Sequence, residues 1–161
     1  MRRKDREIKD RNGIEEIILQ CKTCHLAMAD NGMPYVIPMN FGYRFPNDET
    51  LELFFHSAHE GKKIEILNRN KKVCFEMAFE GEPVFPDVPC RSGYYFASVI
   101  GYGEVSFLQD TAEKREALSV LFKHQTGKDA AFTDKEAGSV CVFKIISTDF
   151  TGKRKQKPDS Q

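Results

Sequence analysis

Phe55-His56-Ser57-Ala58-His59-Glu60-Gly61-Lys62-Lys63 is the stretch whose residue types and spacing bear most directly on chemistry. Leu51, Leu53 and Phe55 fall on one face of a strand and His56 on the other. Ser57 followed three residues later by Glu60 has the form of a capping box, which predicts a helix over 57–68. The first turn of such a helix carries unpaired amide donors and a partial positive charge. Lys62 and Lys63 add two cations one turn further in, and together these make a phosphate cradle. The same residues also fit a plainer pattern, an ordinary Ser-x-x-Glu cap followed by solvated lysines. Glu60 would then compete with any anion for the same amides.

Cys21-Lys22-Thr23-Cys24-His25 has the spacing of a c-type haem attachment site. That chemistry needs export and a ligand-rich helical wrap, and neither is suggested here. The pair also has the form of half a zinc site, but no second pair stands at useful spacing. A redox dithiol would want a thioredoxin-like βαβ setting. The preferred reading is a helix end leading into a strand, with small buried thiols. His25, His59 and His124 look incidental.

The elements that must position these residues can be read from periodicity. Ile14, Ile17, Ile18 and Cys21 follow helical spacing. Strands are expected over 25–29, 34–41, 51–56, 73–80, 94–107 and 139–150, with a hairpin turn at Asp30-Asn31-Gly32. Pro34 and Pro38 each remove a ladder donor, so the second strand is expected to be an edge strand or a bulged one. Gly101 and Gly103 are expected to bend the fifth. Residues 44–50 read as a polar turn, 81–93 as a Pro- and Gly-rich loop, and 110–124 as a second amphipathic helix. Six strands in hairpin order predict a mainly β protein, an antiparallel barrel with a few helices. Residues 1–151 form the single expected domain and 152–161 a flexible C-terminal tail.

Lys plus Arg is 24 and Asp plus Glu is 24, so no global field recruits nucleic acid. The Lys153–Lys157 run reads as a solubility feature. No apolar run is long enough to span a membrane. The charged start lacks the apolar stretch of a signal peptide, and the five cysteines are odd in number. The expected compartment is therefore the cytoplasm.

Five blocks occur in an order that resembles the FMN-binding split-barrel proteins, the pyridoxamine 5'-phosphate oxidase-like superfamily, and in particular its nitroimidazole-resistance branch. They are Leu26–Ala29 with Gly32–Tyr43; Leu53–Ala58 with Gly61–Lys63; Val73–Glu76; Ser98–Gly103; and Val142–Ile145 with Thr151–Lys153. The resemblance covers nearly the whole chain. It implies a six-stranded split barrel that pairs with itself as a homodimer and holds FMN, or FAD, in a groove between subunits.

By position, the resemblance implies that Pro38, Met39, Asn40 and Phe41 run along or support the isoalloxazine ring. His56, Ser57 and Ala58 meet the ribityl and phosphate part, Lys62 and Lys63 match the basic pair, and Glu76 and Ser98 close the site. Met39 and Phe41 also suit a core, Asn40 a turn, and Glu76 a solvated strand face. His56 is the candidate proton donor, with packing or a ribityl hydrogen bond as its alternatives. The implied activity is FMN-dependent reduction of a small acceptor, of the nitroimidazole type, with NAD(P)H or another electron donor. A non-enzymatic flavin-binding or redox-sensing module is the alternative. A pyridoxamine-phosphate oxidase is less favoured, because the chain stops soon after Thr151-Gly152-Lys153.

Overall fold

The computed structural model describes residues 3–155. One antiparallel sheet dominates it. The strands are β1 (Glu7–Ile8), β2 (Thr23–Asp30), β3 (Met33–Asn40), β4 (Gly42–Asn47), β5 (Thr50–Ser57), β6 (Lys72–Val84), β7 (Gly93–Phe107) and β8 (Cys141–Lys155). Their order is β3-β2-β6-β7-β8-β5-β4, with β1 pairing on β8. The sheet therefore ends in two edges, β3 and β4, which are consecutive in the chain and meet at Phe41. That corner bends the sheet round on itself and leaves a split between its edges. Mostly β, antiparallel and few in helices, this is the architecture of a split barrel.

The six expected strands are all present. The two others are β1 and β4. Residues 44–50 were expected as a turn because they are polar and contain Pro46. Arg44 can nevertheless sit in a strand, because its guanidinium is held across the β4–β5 pair by Glu52 at 2.6 Å. The proline-bearing strand β3 is an edge, as its missing donors require. The β7–β8 register shifts between Tyr102 and Glu104, where the glycines fall. Part of the expected loop 81–93 is strand, since β6 continues to Val84.

Helix α1 (Arg11–Gln20) starts where Asp10 accepts from the Gly13 amide, and it buries Ile14, Ile17 and Ile18 completely. Helix α3 (Thr111–Thr126) is capped by Asp110 and ends on Gly127 in the left-handed region. Between them in the chain lies α2 (Lys62–Arg69), and α4 (Asp134–Gly138) precedes β8. None of the described helices is long and apolar enough to cross a membrane. The core holds Phe41, Phe75 and the stacked pair Phe55–Phe143, whose centroids are 5.3 Å apart.

β8 runs past the boundary expected at 151/152. Lys153 pairs with Ser98 on one side and Glu7 on the other, and Lys155 pairs with Phe96. Gly152 is buried against Ile8 and Ile14, which ties this part of the chain down. Residues 156–161 of the expected tail, with Lys157, lie outside the described residues.

Glu52 is buried and bridges Arg44 and Lys144, at 2.6 and 2.9 Å. Burial pushes its carboxyl upward, but the hydrogen bonds from Lys144 and Arg44 outweigh this and hold it below the usual range. A carboxylate with a depressed folded pKa contributes stability that is full above its unfolded pKa, near ~4.3, and is lost as pH falls through the folded value. Glu52→Gln removes that contribution. Its melting temperature is therefore expected to fall less between pH 7 and pH 3 than that of the parent. Parallel acid limbs in thermal melts would contradict the assignment.

Candidate functional site

Three of the predicted site residues, Pro38, Lys62 and Lys63, come together beside the edge strand β3. That strand supplies Tyr35, Ile37 and Pro38. The segment from β5 into α2 supplies Glu60, Gly61, Lys62 and Lys63. Together they line a cleft of about 300 Å³. The helix does not begin at Ser57, so the predicted capping box is corrected. Ser57 is the last residue of β5 and its hydroxyl donates to the Ala58 carbonyl at 2.8 Å. The helix begins at Lys62, and its N-cap is Gly61, at φ 121°. Ser-x-x-Glu is too short a signal to outweigh β5 pairing, which continues through Ser57 opposite Cys141.

That shift changes the electrostatics of the cleft. Gly61 has no side chain with which to cap the helix. Its carbonyl takes the amides of Ile64 and Glu65, while those of Lys62 and Lys63 have no partner among the described residues. Nothing lies within 4 Å of where a Gly61 side chain would begin. Open amides, the positive end of a helix and open space are what an anion requires.

The two lysines differ. Lys62 lies 4.7 Å from the centroid of Tyr35 and 3.7 Å from Asp30, which also holds Arg69 at 2.8 Å. Lys63 makes no ion pair among the described residues. Its charge reaches Cys141, where burial pushes the thiol up and Lys114 and Lys63 pull it partly back.

The other predicted residues are distributed around this cleft. Met39 and Phe41 point into the core, at 8% and 0% exposure, so their side chains can only support the wall from behind. Asn40 donates from Nδ2 to the Lys22 carbonyl at 3.1 Å and to Gln125 Oε1 at 3.2 Å, which fixes the corner between β3 and α3. His56 is exposed on the outer face of β5, opposite Val142, and does not line the cleft. Ala58 is exposed on the turn between β5 and α2.

Glu76 lies on the outer face of β6, in one cross-sheet row with Pro38 on β3 and His25 on β2. Its Oε2 is 3.1 Å from His25 Nδ1. At the usual strand spacing the row from Pro38 to Glu76 spans about 10 Å. Ser98 lies on the same face of β7, paired with Ala78 and Lys153.

Sequence reasoning missed His25, Tyr35 and Ile37. His25 stands at an outward position of β2, whereas Tyr35 and Ile37 alternate with Met39 on the inward face of β3 and are partly buried against the core. Alternation gives the face of a residue and not its partner. Cys21 and Cys24 are both buried and free, and burial pushes their thiols up to about 11 and about 12. Neither is a ready thiolate.

Comparison with known proteins agrees with this architecture. The family model for pyridoxamine 5'-phosphate oxidase matches residues 10–154. A proposed 5-nitroimidazole antibiotic resistance protein from Bacteroides thetaiotaomicron VPI-5482 is 37% identical, with a TM-score of 0.78 over 91% of this chain and 85% of that one. The flavocytochrome Anf3 of Azotobacter vinelandii superposes with a TM-score of 0.80 at 18% identity, over 100% of this chain and 74% of that one. An FAD and heme binding protein from Mycobacterium smegmatis gives 0.79 at 18% identity, over 97% and 77%. At that identity these two show the fold alone. No curated protein matches the chain.

The chain belongs to the pyridoxamine 5'-phosphate oxidase-like family and has its flavin-binding split-barrel fold. Within that family it is similar to the branch that contains the Bacteroides protein.

Proposed function

We propose that the protein binds FMN as a homodimer and passes electrons from NAD(P)H or a related donor to a small acceptor of the nitroimidazole type. The observation that carries this reading is the start of α2, which no side chain caps, with Lys63 beside it making no ion pair among the described residues, opening into the cleft walled by β3. A phosphate is held by open amides and a free cation together. Lys63 takes the phosphate, and Lys62 braces the Tyr35 wall. FAD, which carries a further nucleotide on its phosphate, is the alternative flavin.

From the cleft, the outer face of β3, β2, β6 and β7 offers a path for the flat ring. Pro38 comes first on that face, then His25 and Glu76, with Ser98 beyond. The bound flavin supplies the redox chemistry, taking up and passing on electrons at its ring. The protein supplies binding, an apolar slot and a proton. His25 with Glu76 is better placed than His56 to hold that proton near the ring, because it shares the row with Pro38.

The dimer is supported by the same face. Val36, Ile100 and Tyr102 are 55%, 42% and 57% exposed there. An apolar area of this kind on the outside of a sheet calls for cover. A second copy would cover it and shield the ring from water.

The test begins with purified protein, from which the flavin is released by denaturation and identified by mass. NADPH or NADH is then added without oxygen, with and without a 5-nitroimidazole. We expect FMN, bleaching of the flavin by the donor, and return of colour with the nitro compound. A protein that takes up no flavin would overturn the whole reading. Bound flavin that no donor bleaches would remove the reductase and leave a flavin-binding module.

A further inference from the structure

Away from the Lys63 cleft, α1, β4 and α3 enclose a second cleft of about 590 Å³. Its walls are largely carbon, from Leu19, Tyr43, Phe45 and Val120. Its rim is charged, with Glu15 from α1, Arg44 from β4, and Lys22 and Lys123. At its base lies His124, 8% exposed. The volume is in the range of ordinary small-molecule sites, which combine apolar walls with a few fixed polar groups.

His124 is the group that the rest of the fold leaves unfinished. Its Nε2 is 2.8 Å from the Cys21 carbonyl. A carbonyl only accepts, so Nε2 carries the hydrogen. Burial holds the ring below its usual pKa despite that hydrogen bond, and the nearby Lys22 charge adds to the effect. The imidazole is therefore neutral, and Nδ1 presents a lone pair. No described residue donates to it. Among the described residues the side-chain nitrogen that is both sealed and unpartnered is Arg11 Nε. His124 Nδ1 is not such a sealed atom, and the ring lines the cleft.

The rim charges point to the sign of a ligand. Arg44 is neutralised by Glu52 and Glu116. Glu15 accepts the Tyr43 hydroxyl at 3.1 Å and faces Arg11 at 3.8 Å, so its charge is also answered. Lys22 donates to the His124 carbonyl. Lys123 pairs with exposed Asp129 at 2.9 Å, a solvated pair that exchanges easily. Lys22 and Lys123 are the cations at this rim that no buried carboxylate answers. Tyr43 and His124 meet edge to face at 5.2 Å, which gives a flat guest an aromatic surface.

We propose that this second cleft binds a small planar aromatic carboxylate, whose ring N–H or O–H donates to His124 Nδ1 and whose carboxylate reaches Lys22 and Lys123. The aromatic wall selects flatness, the lone pair selects a donor, and the rim selects negative charge. The site does not depend on the flavin reading, since none of its residues touches the Lys63 cleft.

Indole-3-acetate is a suitable probe, because the chain contains no tryptophan and indole emission belongs to the ligand alone. Fluorescence anisotropy on the full chain, as purified, is expected to show saturable binding of one molecule per chain. The N-methyl analogue, which lacks the donor, should bind at least about tenfold more weakly. Lys123→Glu should cost a similar factor, and Val120→Phe, which fills the cleft from α3 without adding an indole, should abolish binding. Absence of saturation, equal affinity of the methylated analogue, or binding retained by Val120→Phe would each overturn the proposal. If Val120→Phe fails to fold, the analogue and Lys123→Glu still decide the matter.

Discussion

Lys63→Ala is expected to weaken FMN binding by about 1.5–3 kcal/mol, roughly one to two orders of magnitude in Kd. Lys63 is the cation at the start of α2 that makes no ion pair among the described residues. Lys62→Ala is expected to do less. That side chain is already shared between Tyr35 and Asp30, so its loss loosens a wall and leaves the phosphate cation in place. The double variant should lose somewhat more than Lys63→Ala alone. The affinity should also fall with added salt in the parent and less steeply in Lys63→Ala, because one charge has gone from the contact. Flavin fluorescence quenching on titration into apo-protein measures all three. Equal losses for the two single variants would show that the lysines act as a pair. Unchanged affinity in the double variant would remove the cradle from the argument.

The contrast between these lysines could not be read from the sequence. Two adjacent lysines look alike until Asp30, distant in the chain at the end of β2, is folded against α2. The same holds for Glu76. Alternation places it outside its strand, but its partner His25 is fixed by the β2–β6 register, which no local pattern encodes. What local pattern does encode was legible. Val73, Phe75 and Met77 face inward as their alternation requires, and Ile14, Ile17 and Ile18 bury one helical face. The prolines marked an edge because a missing donor is a property of the residue itself. Failures came where a weak local signal met a tertiary one. Ser57 and Glu60 could cap a helix, yet strand pairing with Cys141 holds Ser57 extended. Residues 44–50 are polar enough for a turn, yet 44–47 complete β4, where Glu52 neutralises Arg44 across the pair.

The corner at Phe41 holds both clefts in position, and one glycine sets its dimensions. Gly42 is buried where β4 passes beneath α3. A Cβ added there would lie 2.6 Å from Leu121 N and 2.9 Å from Val120 C, with Leu121 Cα closer still. These are backbone atoms of a helix, so no rotamer change can relieve the clash. The helix must move as a body. Its movement would disturb the Gln125 bonds to the Phe41 and Lys22 carbonyls and the His124 bond to Cys21. Gly42→Ala is therefore expected to cost about 3 kcal/mol, the upper end of what one added methyl does in a packed interior. For a domain of this size that is a fall in Tm of roughly 6–12 °C. Gly138→Ala is the control, since nothing lies within 4 Å of a Cβ there and the residue sits at the exposed end of α4. Differential scanning calorimetry of both variants against the parent measures the difference. If Gly42→Ala melted within a degree or two of Gly138→Ala, α3 would have to pack on β4 less closely than the structure requires. The shared footing of the β3 wall and the His124 cleft would then fail with it.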